Sequence, residues 1–510
     1  MAQPQSQFQL GALDRRAMEQ ERLERLAKQK RSPANEDNDT DDDVVEIPPP
    51  KRQATTSTSV AKGKESKMTK SMPAPASASL AAPNSSLPYP NGTVKRTWAR
   101  GLARTGDDIT IEEVFQKDQL ELALLSSFQW DEEWMLSKLD ISKTKLLLLA
   151  FAKDEAQKNQ MRGNVPANIK FCFPPMYGVG AMHSKLQLLK YPNRLRVVIP
   201  TGNLVPYDWG ETGVMENMVF LIDLPRLENP ATTPQSPTAF YTELVYFLQA
   251  TGVGDKMVAS LSNYDFSKTS DIAFVHTIVA ALGLATSSPI EVDLLASCCN
   301  LHSLCSGNAL LTAKGRNGIE DFKSRSGGTS SRSKAAKKPD EAALKELQER
   351  FRIYFPTERT VAGSRGGRNA GGTICVQAKW WRSPTFPTEL VRDVIARDRL
   401  LVHSKMIFVR RVGHDQTTAQ HRPGWAYVGS ANLSESAWGR LSKDRSTKAI
   451  KINCRNWECG VILPVPESKA VDKTRASSDM AMFAGTVPVP MQVPGPAYAS
   501  SDRPWFYTGA

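Results

Sequence analysis

Long apolar runs are missing from this chain of 510 residues. The longest, Ile272 to Ala285, is too short to span a bilayer and contains His276, which argues against a membrane helix. No apolar segment of the secretory kind opens the sequence, so the expectation is a soluble protein. Cysteine is sparse. Seven residues, an odd number at irregular spacing, do not make a secreted disulfide framework and favour a reducing compartment. Histidine is scarcer still, with six in the whole chain. A histidine pattern that repeats is therefore informative.

What is abundant is positive charge. The formal net charge is +12 and the pI is about 9.2. Such an excess suits a polyanion, nucleic acid or an anionic membrane surface, unless basic tails alone supply it. Residues 1–105 hold few large apolar side chains among Ser, Pro, Ala and Lys, and are expected to be disordered. Within them, Leu13 to Lys30 has the pattern of a charged helix. Asp41-Asp42-Asp43 precedes Val44, Val45 and Ile47. A β-prone run behind an acidic cluster resembles a SUMO-interacting motif, which adds as a strand to a partner's sheet edge; a solvated acidic tail reads the same way. Lys51-Arg52 and the run from Lys62 to Lys70 are basic patches of the kind that serve nuclear import.

Folded sequence is expected from near Asp107. Strands are expected at Leu146–Phe151, Lys185–Lys190, Leu195–Ile199, Val219–Leu224, Met406–Val409, Ala426–Val428 and Gly460–Leu463. Helical patterns lie at Thr238–Gln249 and Asp340–Arg352. Strands mixed with helices imply α/β layers. Residues 323–338 read as a flexible basic loop and 466–500 as a long surface insertion.

One phrase occurs twice: Met182-His183-Ser184-Lys185 and Val402-His403-Ser404-Lys405. Each copy leads through an apolar run to a turn with an asparagine, Asn203 and Asn432. Each asparagine is followed six residues later by Trp-Gly, at Trp209 and Trp438. In a strand, residues i and i+2 face the same way, so each His-x-Lys pair projects together. A single asparagine at a strand end reads as a helix cap. Two at matched places behind two His-x-Lys pairs read as functional. A third parallel sets Glu216 against Glu458, each opening a strand and able to orient a histidine through a ring nitrogen. The spacing from asparagine differs there, thirteen residues against twenty-six.

Two imidazoles, two ammonium groups and two amide donors suit a phosphoryl transition state, whose oxygens carry negative charge. One histidine can attack phosphorus while the other protonates the leaving oxygen and then activates water. The pair then needs opposite protonation states. No acidic cluster accompanies these residues, so the chemistry requires neither a catalytic metal nor a cofactor.

These residues resemble the phospholipase D superfamily, whose signature is His-x-Lys with an Asp five residues after the Lys. Here those positions are Lys190 and Arg410. A paired His-x-Lys without that Asp, followed by a downstream Asn, resembles the tyrosyl-DNA phosphodiesterase family. The blocks HSKLQLLKYPNRLRVVIPTGNLVPYDWG, HSKMIFV and YVGSANLSESAWG carry the likeness, with Asn456 to Val461 and Asp502-Arg503-Pro504-Trp505. It covers about residues 106–510 and looks fungal in type.

The resemblance implies an α/β fold of two similar phospholipase D-like α-β-α sandwich domains around one shared site. They would lie at 106–288 and 289–510, behind the 1–105 tail. It implies hydrolysis of the link between a DNA 3′-phosphate and tyrosine, left by topoisomerase I, and of related 3′ blocks, with His183 as nucleophile and His403 as general acid and then base. Lys185, Lys405, Asn203 and Asn432 would hold phosphate oxygens, Glu458 would support a histidine, and Glu216 would be its counterpart. The partners implied are single- and double-stranded DNA with blocked 3′ ends and a topoisomerase I-derived peptide. Tyr177 and Trp505 are candidates to stack on DNA, and Gly372 and Thr373 lie in a loop resembling one near the family's substrate. Nuclear location and a monomer follow as expectations.

The family's Ser/Gly-rich DNA-contacting loop corresponds here to Ala296 to Cys305, which departs from it. Cys299, His302 and Cys305 in that stretch have a spacing seen in zinc sites, but adjacent cysteines seldom share a structural zinc. The competing functions are another superfamily nuclease or phospholipase, and a non-catalytic DNA-binding scaffold. The missing Asp after each Lys counts against the first. Two intact His-Lys-Asn sets count against the second.

Overall fold

The computed structural model describes residues 87–176, 180–230, 236–277, 290–295, 298–300, 350–383, 386–411, 423–443, 450–466 and 480–506. The strand sequences are apolar on both faces, as strands covered on both sides must be. In β7 (Arg194–Pro200) every residue is buried. Along β8 (Met218–Pro225), Met218, Phe220, Ile222 and Leu224 join one apolar cluster, and Val219 and Leu221 join another on the opposite face.

These two strands belong to an eight-stranded sheet with β1 (Thr93–Thr97), β2 (Asp108–Ile109), β3 (Leu122–Ser126), β4 (Lys145–Leu149), β5 (Ile169–Cys172) and β6 (Gln187–Lys190). Its order is β2-β1-β8-β7-β6-β3-β4-β5. Strands β3, β4 and β5 run parallel, joined by helices Glu132–Ser137 and Glu155–Gly163. Side chains of Asp131 and Asp154 cap those helices by accepting from backbone N–H groups. The β6-β7-β8 meander is antiparallel, as is β1 against β8, with β2 at the edge.

A second sheet repeats this plan. It holds β9 (Ala273–His276), β10 (Ile290–Leu295), β11 (Phe351–Tyr354), β12 (Val391–Arg392), β13 (Lys405–Arg411), β14 (Gly424–Gly429) and β15 (Cys459–Pro464). The order is β9-β15-β14-β13-β10-β11-β12, with the same parallel and antiparallel pairs as β1-β8-β7-β6-β3-β4-β5. The sheets' facing sides share one apolar cluster. It takes Leu188, Val197 and Phe220 from the first sheet, and Phe408, Val428 and Val461 from the second. Helix Ala239–Ala250 adds Phe240, Leu244 and Phe247. Separate clusters cover each sheet's other face.

All seven strands expected from sequence are present, and Thr238–Gln249 is the helix Ala239–Ala250 with Thr238 as its N-cap. Four expectations change. The tail expected to reach 105 ends earlier, because β1 pairs with β8. Strand β9, assigned to the first domain, pairs with β15 in the second sheet. Phe351 and Arg352, where an expected helix ends, instead open a strand that pairs with β10. The later part of the expected surface insertion is anchored: Met482, Phe483, Val487 and Met491 are buried in the shared core. Its many prolines disguised four apolar anchors spaced along it. Leu13–Lys30, the Val44, Val45 and Ile47 motif, 323–338 and Leu301–Cys305 lie outside the described residues.

Two short pairings stitch the halves together where the histidines arise. Val402, just before His403, pairs in parallel with Glu216, and Met182, just before His183, bridges Trp457.

Candidate active site

Each histidine leaves its backbone anchored to the opposite half. His183 N–H donates to the Trp457 carbonyl at 3.0 Å, and His403 N–H donates to the Glu216 carbonyl at 3.2 Å. Both rings are buried in side-chain pairs that cross the seam. His183 Nδ1 lies 2.8 Å from Glu458 Oε2, and His403 Nδ1 lies 2.8 Å from Asp208 Oδ1. A ring held at Nδ1 by a carboxylate turns its Nε2 away from that carboxylate, toward whatever enters the site.

The carboxylates are themselves held. Glu458 Oε2 accepts from the Ser430 hydroxyl at 2.5 Å, and Oε1 accepts from Asn456 Nδ2 at 3.1 Å. Asp208 accepts from three donors: His403 and Asn217 Nδ2 (3.1 Å) at Oδ1, and the Asn203 backbone N–H (2.7 Å) at Oδ2. Burial alone would raise both acids. The opposing histidine and neighbouring lysine hold Glu458 below its ordinary value, and His403 and Lys405 hold Asp208 down at about 2.

Lys185 and Lys405 are buried completely or nearly so. Their ammonium groups fold back onto their own motifs, Lys185 Nζ donating to the His183 carbonyl at 3.0 Å and Lys405 Nζ to the His403 carbonyl at 2.7 Å. Lys405 also donates across the seam to the Thr201 carbonyl at 3.1 Å. Both histidines are depressed, first by burial and then by lysines from both halves, against the pull of their carboxylates; His403 is pushed down to about 4. Two neutral imidazoles therefore stand among two lysines and two ionised carboxylates. An anion brought beside the lysines would offset their effect on the imidazoles and raise both.

Asn203 lies in this centre, but it caps no helix. Its Oδ1 accepts from the Gln129 N–H at 3.3 Å, and its backbone carbonyl accepts from the buried Trp209 indole at 3.0 Å. In the second half the cap of helix Glu435–Trp438 is Ser434, not Asn432. The capping alternative thus fails for both asparagines.

Glu216 is a correction. It orients no histidine: its carboxylate pairs with Arg397 at 2.8 Å, and Arg397 also reaches Asp108 at 2.8 Å. The cause is a one-residue slip. Thr201 N–H bonds to the Met218 carbonyl as Ser430 N–H bonds to that of Cys459, so the true counterpart of Glu458 is Asn217. Alternation then turns Glu216 to the other side. Asn217 accepts from Thr201 Oγ1 as Glu458 accepts from Ser430, and hands its amide to Asp208.

Sequence reasoning also missed Asp208, Ser430, Gln129 and Phe128. Asp208 had a signal, being the one acid between Asn203 and Trp209. Phe128 had none; its ring centroid stands 4.8 Å from that of His183. Trp505 and the 3₁₀ turn Arg368–Thr373 meet in a cluster of their own. Trp505 Nε1 donates to the Gly371 carbonyl at 2.9 Å, and the Arg368 guanidinium lies 5.7 Å from the ring. A Cβ on Gly371 would sit 2.8 Å from the indole, so only glycine fits. Gly372 is exposed beside it, and Thr373 is buried with its hydroxyl unbonded among the described residues. Tyr177 lies outside the described residues.

The family model described as tyrosyl-DNA phosphodiesterase matches residues 93–499. Tyrosyl-DNA phosphodiesterase 1 of Arabidopsis thaliana is 24% identical over 449 residues, which cover 78% of this chain and 71% of that protein. The Drosophila melanogaster protein of the same name is 23% identical over 437 residues, 78% of this chain and 70% of that one. The crystal structure of the yeast tyrosyl-DNA phosphodiesterase superposes with a TM-score of 0.57 over 81% of this chain and 100% of its own, at 17% identity, a likeness of fold.

Proposed function

The chain belongs to the tyrosyl-DNA phosphodiesterase family, whose members are phosphodiester hydrolases, and from that premise we propose how its residues carry out the reaction. The substrate is DNA whose 3′-phosphate is esterified to tyrosine or to a related block. The observation that carries the reading is the crossed pairing: His183 with Glu458, His403 with Asp208, both held at Nδ1.

His183 Nε2 attacks phosphorus. The P–N bond forms as the P–O bond to tyrosine breaks, and His403 delivers its proton to the departing phenolate oxygen. His403, now neutral, takes a proton from water, whose oxygen attacks the phosphohistidine. The P–N bond breaks, leaving a DNA 3′-phosphate and free His183. Lys185, Lys405, Asn203 and Asn432 donate to the phosphoryl oxygens throughout. Burial first, and then the two lysines, hold His403 down at about 4; the substrate's phosphate offsets the lysines' share and so favours the protonated ring that the first step needs.

We further read the two sheets as cores of two phospholipase D-like α-β-α domains, supported by their common strand order. Nuclear action is supported by the basic runs at Lys51-Arg52 and Lys62–Lys70; nuclear exclusion of the tagged full-length protein would remove it.

The test is cleavage of a 3′-phosphotyrosyl oligonucleotide. His183→Ala abolishes it. His403→Ala slows the second step and traps a covalent protein–DNA adduct on a denaturing gel. Full activity in either variant overturns the mechanism. A phospholipase reading would instead show headgroup release from lipid.

A further inference from the structure

The loop that leaves β3, Ser127 to Asp131, is sewn to the segment that follows Asn203. Trp130 bridges Leu204 in parallel, Leu204 N–H donates to Ser127 Oγ at 3.0 Å, and Asp131 N–H donates to the Leu204 carbonyl at 2.9 Å. This fixes Gln129 against the Asn203 side chain. The Gln129 backbone N–H meets Asn203 Oδ1 at 3.3 Å, and Asn203 Nδ2 donates to Gln129 Oε1 at 3.4 Å. The Tyr207 hydroxyl donates to the same Oε1 at 2.9 Å, which holds it in place.

A side-chain amide can flip, and a flip exchanges donor for acceptor. A backbone N–H can only donate, so it must face the amide's oxygen. Gln129 Oε1 can only accept, so it must face the amide's nitrogen. The two contacts therefore permit one orientation of Asn203. One Nδ2 hydrogen goes to Gln129 and the second is left for an incoming oxygen. Both contacts are long, and catalytic hydrogen bonds of this kind commonly tighten in the substrate complex.

The second half has a different residue at the matching place. Cys299 pairs with Leu433, the residue after Asn432, as Trp130 pairs with Leu204. That register makes position 298 the counterpart of Gln129, and the sequence has cysteine there, which carries no amide oxygen.

We propose that Gln129 is a positioning residue for catalysis. It fixes the polarity of the Asn203 amide so that Nδ2 donates to the substrate phosphate, while Asn432 is oriented by other means. The proposal rests on the reading of this centre as a phosphoryl-transfer site.

The experiment is a double-mutant cycle on the full chain, with a 3′-phosphotyrosyl oligonucleotide as substrate. Asn203→Ala removes the donor and lowers kcat by about 10²- to 10³-fold. Gln129→Met, similar in length but without the acceptor, lowers kcat roughly tenfold, a part of what losing the donor costs. Placed on Asn203→Ala, Gln129→Met changes kcat by less than about twofold, because the group it acts through is gone. Gln129→Glu keeps an acceptor oxygen and stays within a few-fold of the parent kcat, even where the added negative charge raises KM. Tyr207→Phe, which removes one half-buried hydroxyl, repeats the cycle with a smaller effect should Gln129→Met melt early. Multiplicative losses of Gln129→Met and Asn203→Ala overturn the proposal, as does parent activity in Gln129→Met. Both outcomes are read only where the unmodified protein cleaves the substrate. If it does not, the phosphoryl-transfer reading falls first and the proposal with it.

Discussion

Replacing Asp208 with asparagine tests the crossed pairing at its least expected member. Three donors converge on that carboxylate: His403 Nδ1, the Asn203 backbone N–H and Asn217 Nδ2. An amide offers one acceptor oxygen, so Asp208→Asn must turn its NH₂ toward at least one of them. Facing His403, it forces the ring to accept at Nδ1 and carry its proton on Nε2, where a general base must have none. The lost negative charge matters as well. Unit charges about 4 Å apart interact by roughly 4 kcal/mol at an effective dielectric of about 20. That corresponds to about three pKa units on a group already pushed down to about 4. Both acid and base roles of His403 then fail, and turnover of the phosphotyrosyl substrate falls by about a hundredfold or more. A 4-nitrophenyl ester of the 3′-phosphate separates the steps, since its leaving group needs little protonation. With Asp208→Asn it gives a burst of about one equivalent of nitrophenolate, then slow release, with the adduct visible on a denaturing gel. Steady release at the parent rate, with no burst and no adduct, would refute the pairing's role.

Three further outcomes follow from the site's other buried charges and donors. Arg397→Leu takes from buried Glu216 its hydrogen-bonded cation and from Asp108 one of two, Arg96 staying 3.6 Å from Asp108, and destabilises the protein by about 3 kcal/mol in chemical denaturation, far more than a surface substitution. Acid stability carries His403's signature. The folded state holds it at about 4 while an unfolded histidine titrates near 6.5, so the unfolded chain binds more protons between those values. Stability is present above about pH 6.5 and lost as pH falls toward 4, by roughly 3 kcal/mol for this group; the loss across that window shrinks in His403→Asn if the assignment holds. Ser430→Ala removes a donor from Glu458 Oε2 and lowers kcat about tenfold with KM little changed, a KM-dominated defect being the contrary result.

The repeated His-Ser-Lys phrase made the catalytic groups legible because it is local: three residues in extended chain put His and Lys on one side in both halves. The apolar runs made the strands legible for the same reason. What the sequence hid is non-local. Glu458 was legible as a partner for a histidine, but that it serves the histidine of the other half, and Asp208 that of the second, is announced by no spacing within one copy. Matching the letters of Glu216 to Glu458 gave a register one residue out, and in a strand one residue reverses the side chain's direction. Proline-rich 480–491 looked like surface because composition averages away four anchors that the shared core uses.

The crossing has a consequence for how the site can exist at all. His183 depends on Glu458 and Ser430 from the second half, and His403 depends on Asp208 from the first. Lys405 donates to Thr201 across the same seam. Either half alone holds a histidine without its carboxylate, and the second half also holds a buried lysine short of a carbonyl. It also exposes one side of the cluster that joins Val197 and Phe220 to Phe408 and Val461. Separately produced halves are therefore expected to be inactive and sticky, and activity should appear only where the seam re-forms. A half with measurable cleavage of the phosphotyrosyl substrate would mean that the carboxylates are not needed, and that the symmetry of the repeat, rather than its crossing, carries the chemistry.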